Sequence, residues 1–222
     1  MQNNKEFTIF SKHSKDNDSG IYRKSEAVKS FESCLNTAVD MVDWLNENNG
    51  HFDNDQRMAY AVSHCQVVSP HSSFAPKAFF VVAKDFVNDD FITETRLRNK
   101  TNFYFPAQAI FNARVVEAPE KLEKDIPKRE VVTGKDGKVT SRVVLVKGTV
   151  NNKIGVPDAC MSFPNKSGKT TERFYRIKVK YQTRWHFGLL RPHTEWVEGV
   201  KAHVFQHEID HANGINIYYN NK

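Results

Sequence analysis

The residues best suited to chemistry are His207-Glu208-Ile209-Asp210-His211. On a helix, positions i and i+4 share a face, so both imidazoles can reach one metal ion. Glu208 lies one step round from His207, close enough to reach a water on that ion. A catalytic metal site normally has three protein ligands and one open position. An extended motif would place a third histidine six residues after His211, but Ile217 stands there. Nothing in 212–222 is Asp, Glu, His or Cys, so the third ligand lies upstream. The candidates include Cys160, His203, His193, His186 and Glu195. His203 shares the helix face, but three ligands in one straight row span about 12 Å, too far to converge on one ion. Cys160 is the better chemical choice, since thiolate binds zinc or ferrous iron strongly.

The elements that must position these residues follow from periodicity. Residues 25–49 carry a helical stripe of Val28, Phe31, Leu35, Ala38, Val39, Val42 and Leu45, closed by Asn48-Asn49-Gly50. Residues 77–86 form a short apolar run that reads as a buried strand. Residues 103–117 read as a strand pair around Asn112. Residues 130–133 and 139–146 flank Gly134-Lys135-Asp136-Gly137, a strong hairpin signal with a charged tip that projects from the body. Residues 176–181 alternate strictly, as a half-buried strand does. Residues 195–214 read as one helix with Gly214 as its stop. Strands in the middle with helices at each end predict the α+β class.

Composition narrows the setting. The 222 residues carry a net charge of +6 and a sequence pI of about 9.1. The basic residues are spread along the chain, with neither a compact basic block nor a zinc-finger or helix-turn-helix spacing. Sequence-specific nucleic-acid binding is therefore not expected. Residues 1–24 read as a polar N-terminal extension without the apolar run of a secretory signal, and 25–222 as one domain. No run approaches a membrane span. Three cysteines (Cys34, Cys65, Cys160) do not suggest a disulfide framework. A reducing, cytoplasmic setting is expected.

Three segments resemble the peptide deformylase family. Gln206-His207-Glu208-Ile209-Asp210-His211-Ala212-Asn213-Gly214 is similar to that family's Q-H-E-x-D-H-x-x-G motif, and Asp158-Ala159-Cys160-Met161-Ser162 to its E-G-C-L-S motif. The family's G-x-G-x-A-A-x-Q motif corresponds to Ala59-Tyr60-Ala61-Val62-Ser63-His64-Cys65-Gln66, which keeps only the glutamine. The resemblance spans residues 25 to 219. It implies a fold of antiparallel β-sheets around the metal-binding HExxH helix, with an N-terminal amphipathic helix. The hairpin then looks like an insertion at 120–150. The chain also stops soon after the last motif, as in short-tailed, phage-encoded members, for which the setting would be the host cytoplasm.

The resemblance also implies roles. Cys160, His207 and His211 would hold one divalent ion, Fe2+ in the cell and Zn2+, Ni2+ or Co2+ as purified. Glu208 would move the protons, while Gln66 and the backbone N–H of Met161 would donate to the oxyanion. Tyr60, Ala61, Val200, His203 and Val204 would line the pocket for a methionine side chain. His203 is unusual in an apolar pocket and also reads as a core histidine hydrogen-bonded to a neighbour. Asp158 and Arg173 stand where the family has a Glu and an Arg in contact, but Asp158 is one methylene shorter. Asp210 would orient a ligand or anchor the helix, or simply sit on its surface. The implied activity is hydrolytic removal of formyl from N-formyl-methionyl nascent peptides by a monomer that visits the ribosome. Two other readings are a related deacylase or peptidase with altered substrate choice, and a non-catalytic descendant that binds peptide or ribosome. The intact Glu208 speaks against the last, since a binding module has no need of it.

Overall fold

A computed structural model describes residues 8–9, 20–48, 59–68, 75–87, 107–133, 137–162, 169–215 and 217. Its centre is a five-stranded antiparallel sheet. The strands are β2 (Ala61–Ser63), β4 (Phe79–Val82), β5 (Ala109–Glu117), β10 (Arg176–Arg184) and β11 (Leu190–Glu198), in the order β11-β10-β5-β4-β2. Helix α1 (Leu35–Asn48) and helix α2 (Gly199–Ala212) complete the body. Three two-stranded pairs surround it. Strand β1 (Thr8–Ile9) pairs with β3 (Val67–Val68), β6 (Lys121–Thr133) with β7 (Val139–Asn151), and β8 (Lys153–Asp158) with β9 (Lys169–Phe174).

The core follows from the patterning. β4 is buried along its whole length, as its apolar run predicts, and β10 buries Ile177, Val179, Tyr181 and Thr183 in strict alternation. Helix α2 lays Ala202, Val204 and Phe205 on this core, with Phe205 edge-on to Phe80 at 5.8 Å between centroids. On α1, Ala38, Met41 and Leu45 face inward, whereas Val39 points outward.

Several boundaries differ from the sequence reading. The first helix begins at Leu35, after a 3-10 turn over Phe31–Cys34. Val28 is buried but not helical, because its N–H and C=O are both engaged by the Asn112 side chain, at 2.8 and 2.7 Å. Asn112 itself does not separate two strands. It lies inside β5 with φ 52, a left-handed conformation that asparagine tolerates, and residues 103–106 lie outside the described residues. Helix α2 starts at Gly199 and not at 195. The preceding residues extend β11, whose Val197 pairs with Ile177. Gly199 adopts φ 61, which separates strand from helix. The expected stop at Gly214 holds, with φ 72.

The hairpin runs over Lys121–Asn151, longer than its apolar alternation suggests, while 134–136 of its turn lie outside the described residues. The segment 1–24 contributes more than polar chain. Ile21 is fully buried and packs with Cys160 and Ile217. Among the described residues, no helix is long and apolar enough to cross a membrane.

Candidate metal centre

Helix α2 carries His203, His207 and His211 at four-residue intervals, so they stand in one row. Cys160 follows the end of β8, and the β8–β9 hairpin brings it to the lower part of that row. Its Sγ lies 3.3 Å from His211 Nε2, which lies 3.1 Å from His207 Nε2. The three ligand atoms fall within 4.8 Å of one another, and all three residues are buried. Zinc-type bond lengths with a tetrahedral angle place such atoms about 3.3–3.6 Å apart, so the triangle fits one ion. The two imidazoles are perturbed in opposite directions. Burial disfavours charge on His207, yet Asp158, Cys160 and Glu208 around it raise its pKa well above the ordinary value. Burial and the neighbouring His207 push His211 well below. His203 is left out of this set, as its place in the row requires.

The tautomer of His207 is fixed by Asp158. Asp158 Oδ1 accepts from His207 Nδ1 at 2.8 Å, which leaves Nε2 with its lone pair for a metal. Asp158 Oδ2 accepts from Arg173 Nη2 at 2.9 Å and from Thr171 Oγ1 at 3.0 Å. The expected carboxylate–arginine contact therefore forms despite the shorter Asp158. Burial would raise the Asp158 carboxyl, but hydrogen bonds from His203, His207 and Arg173 outweigh it and hold the group far below the usual carboxylate range. Arg173 also bonds Asp210, which anchors α2 to β9. Gln206 adds a second tie to β9. Its amide accepts from Phe174 N at 3.0 Å and donates to Phe174 O at 2.8 Å.

Glu208 points into the same buried region. Its Oε2 accepts from Ser63 Oγ at 2.5 Å. Burial raises its pKa, against the pull of His207 and of Ser63. Ser63 N donates to Gln66 Oε1 at 2.8 Å, which turns Gln66 Nε2 toward Cys160 Sγ (3.4 Å) and Ser162 Oγ (3.1 Å). Met161, next to Cys160, is half-buried against the core. Ser63, Ser162 and Thr171 received no role from the sequence. Ser162 lies within the cysteine motif and Thr171 shares a face of β9 with Arg173, so spacing alone could have suggested both. Ser63 is 145 residues from Glu208, and no local signal links them.

The expected pocket residues are less uniform. Tyr60 is exposed and leans on Phe86, at 5.0 Å between centroids. Ala61 is buried in β2, Val204 is in the core and Val200 is exposed. His203 has a carboxylate partner, its Nε2 lying 3.2 Å from Asp158 Oδ1.

The sequence model of the polypeptide deformylase family matches residues 91–221, more than half of the chain. The chain belongs to this family. A peptide deformylase from Thermus thermophilus is 35% identical over 113 residues, which cover 49% of this chain and 53% of that protein. The chain thus spans about half the length of the curated relatives it matches. Among solved structures, peptide deformylase from Thermotoga maritima has a TM-score of 0.51 at 22% identity, over 95% of this chain and 94% of that one. A probable peptide deformylase from synechococcus phage S-SSM7 has a TM-score of 0.53 at 19% identity, over 95% and 96%. These likenesses establish the deformylase fold, with antiparallel sheets and few helices.

Proposed function

We propose that the chain is a metal-dependent amide hydrolase that removes the N-formyl group from the N-terminal methionine of new polypeptides. The observation that carries this reading is the convergence of Cys160, His207 and His211 beside Glu208 in a member of the deformylase family. These three residues would hold the ion, Fe2+ as the working metal. Such an ion supplies Lewis acidity, which makes water nucleophilic near neutral pH and polarises a carbonyl.

The chain's own groups do the rest. Glu208 has Oε2 tied to Ser63, so Oε1 takes the proton of the attacking water and returns it to the departing amine. Gln66 Nε2 and the Met161 N–H donate to the oxygen that gains charge at the formyl carbon. Cleavage of the C–N bond gives formate and a free amino terminus. Tyr60, Ala61, Val200, His203 and Val204 border the space for the methionine side chain. Residues 25–222 form the catalytic unit, and the hairpin at 120–150 is an insertion in it.

The test is formate release from formyl-Met-Ala-Ser, under anaerobic conditions, by protein loaded with ferrous iron or nickel. Release is expected, and Glu208→Ala should lower it at least about 10²-fold, the scale of a lost general base. No release from protein with metal bound would overturn the reading and direct a screen of other N-acyl peptides.

A further inference from the structure

His203 stands one turn before His207 on α2 and ligates nothing in the Cys160–His207–His211 set. We infer that His203 is a positioning residue for the ligand His207 and acts through Asp158. The inference rests on the metal reading above.

Asp158 is 1% exposed and its carboxylate meets four donors. Oδ2 serves Arg173 and Thr171, while Oδ1 serves His207 at 2.8 Å and His203 at 3.2 Å. A carboxylate offers about four lone-pair sites, so each donor defines part of its orientation. Because a carboxylate only accepts, the facing nitrogen of His203 carries a proton. On α2, His203, His207 and Asp210 fall at i, i+4 and i+7, one stripe. That stripe grips Asp158 and Arg173, the two charged residues that β8 and β9 bury. Cys160 lies two residues beyond Asp158. The grip therefore sets the distance between the thiolate and the two imidazoles.

The shorter side chain at 158 makes His203 matter here. An aspartate reaches His207 only if the end of β8 is drawn close to α2. His203 supplies a second tie from α2 to the same oxygen. It is also the member of the stripe nearest solvent at that oxygen, with 23% of its side chain exposed. Without it, Oδ1 opens to water and the carboxylate can rotate off His207 Nδ1. The proton then is no longer held on Nδ1, and Nε2 is no longer reserved for the metal.

Asp158, His203 and His207 also lie close enough to hold an ion themselves. The two groups share His207, however. Its Nδ1 proton is committed to Asp158, so a second ion there would require that proton to be lost and His207 to become an imidazolate.

The test is the rate at which zinc-loaded protein gives up its metal to a chromophoric chelator, together with zinc stoichiometry. His203→Leu keeps bulk without a donor, and His203→Gln restores an amide donor. Leu should release zinc about 10-fold faster than wild type, the lower end of the effect of a lost partner behind a ligand, and Gln should return most of the difference. His203→Ala takes the place of Leu if the latter does not fold. Equal rates in wild type and Leu, or equal rates in Leu and Gln, would overturn the inference. So would a second equivalent of zinc in wild type that Leu lacks, which would make His203 a ligand. Wild type that holds no zinc, or a Cys160→Ser variant that holds it as well as wild type, would instead remove the metal reading and this inference with it.

Discussion

Two hairpins follow one another in the chain and are held in opposite ways. β8–β9 buries an Asp and an Arg and is bonded to α2 through both. β6–β7 exposes Val131, Val139, Val143 and Leu145, each 68–69%, and among the described residues its strands pair only with each other. Asn152 joins the end of the first to the start of the second, and its fully buried side chain bonds Pro119 O and both the N and the O of Arg176. The same anchor thus supports a hairpin whose residues depend on one another and a hairpin whose residues do not. The difference is desolvation. A buried charge needs all its partners, whereas an exposed pair loses little when broken.

Arginine substitutions should show the contrast most strongly. Arg173→Met leaves Asp158 and Asp210 without their cation, and breaking a buried pair costs about 3–5 kcal/mol. Arg142→Met removes the exposed pair with Glu130, 3.3 Å apart on the ribbon, and should cost less than about 1 kcal/mol. Urea denaturation of both variants measures the difference. Equal costs would mean that the buried network is not cooperative.

The same contrast explains what the sequence revealed. The helix that carries His207 and His211 was legible because residues four apart share one face of a helix. Its start was not, because Val197, Val200 and Val204 suit either a strand or a helix. The decision falls to the pairing of Val197 with Ile177 and to the turn at Gly199, and the first of these is non-local. The contact between Asp158 and Arg173 was legible only through family resemblance. Ser63 and Glu208 meet because β2 and α2 pack together, which no spacing in the chain encodes. The helix expected from residue 25 failed for a similar reason, since Asn112 takes the backbone groups of Val28 that a helix would need.

Acid sharpens the comparison at the next level. His64 stands on the buried side, accepts from Lys77 N at 2.8 Å through Nδ1 and stacks on Phe79. Burial, then the nearby Lys77, lower its pKa from 6.5 to about 4. A lowered histidine pKa stabilises the fold above the unfolded value, and that contribution is lost as pH falls from 6.5 through 4. Its upper bound is about 3 kcal/mol, at 1.36 kcal/mol per unit. Unfolding free energies at pH 7 and pH 4.5 should therefore converge more in His64→Leu than in wild type. An unchanged pH slope would show that His64 is not held neutral by the fold.

The smallest effects belong on the ribbon. Val143 faces outward beside Arg129, and Leu145 beside Pro127. Arg129 already bonds Ser141, at 2.9 Å through Nη2, so it does not depend on either apolar neighbour. Threonine keeps the β-branched shape and strand propensity of valine, so Val143→Thr loses only an exposed methyl. An exposed substitution of this kind stays within about 0.5 kcal/mol, and the same is expected of Leu145→Thr. A two-stranded ribbon is marginal in water by itself, so its lasting order has to come from the Asn152 anchor at its base. If either variant instead cost more than about 1 kcal/mol, the outward face would have to be covered in solution. A dependence of the unfolding midpoint on protein concentration would then identify a second copy as the cover, and the two hairpins would no longer differ in kind.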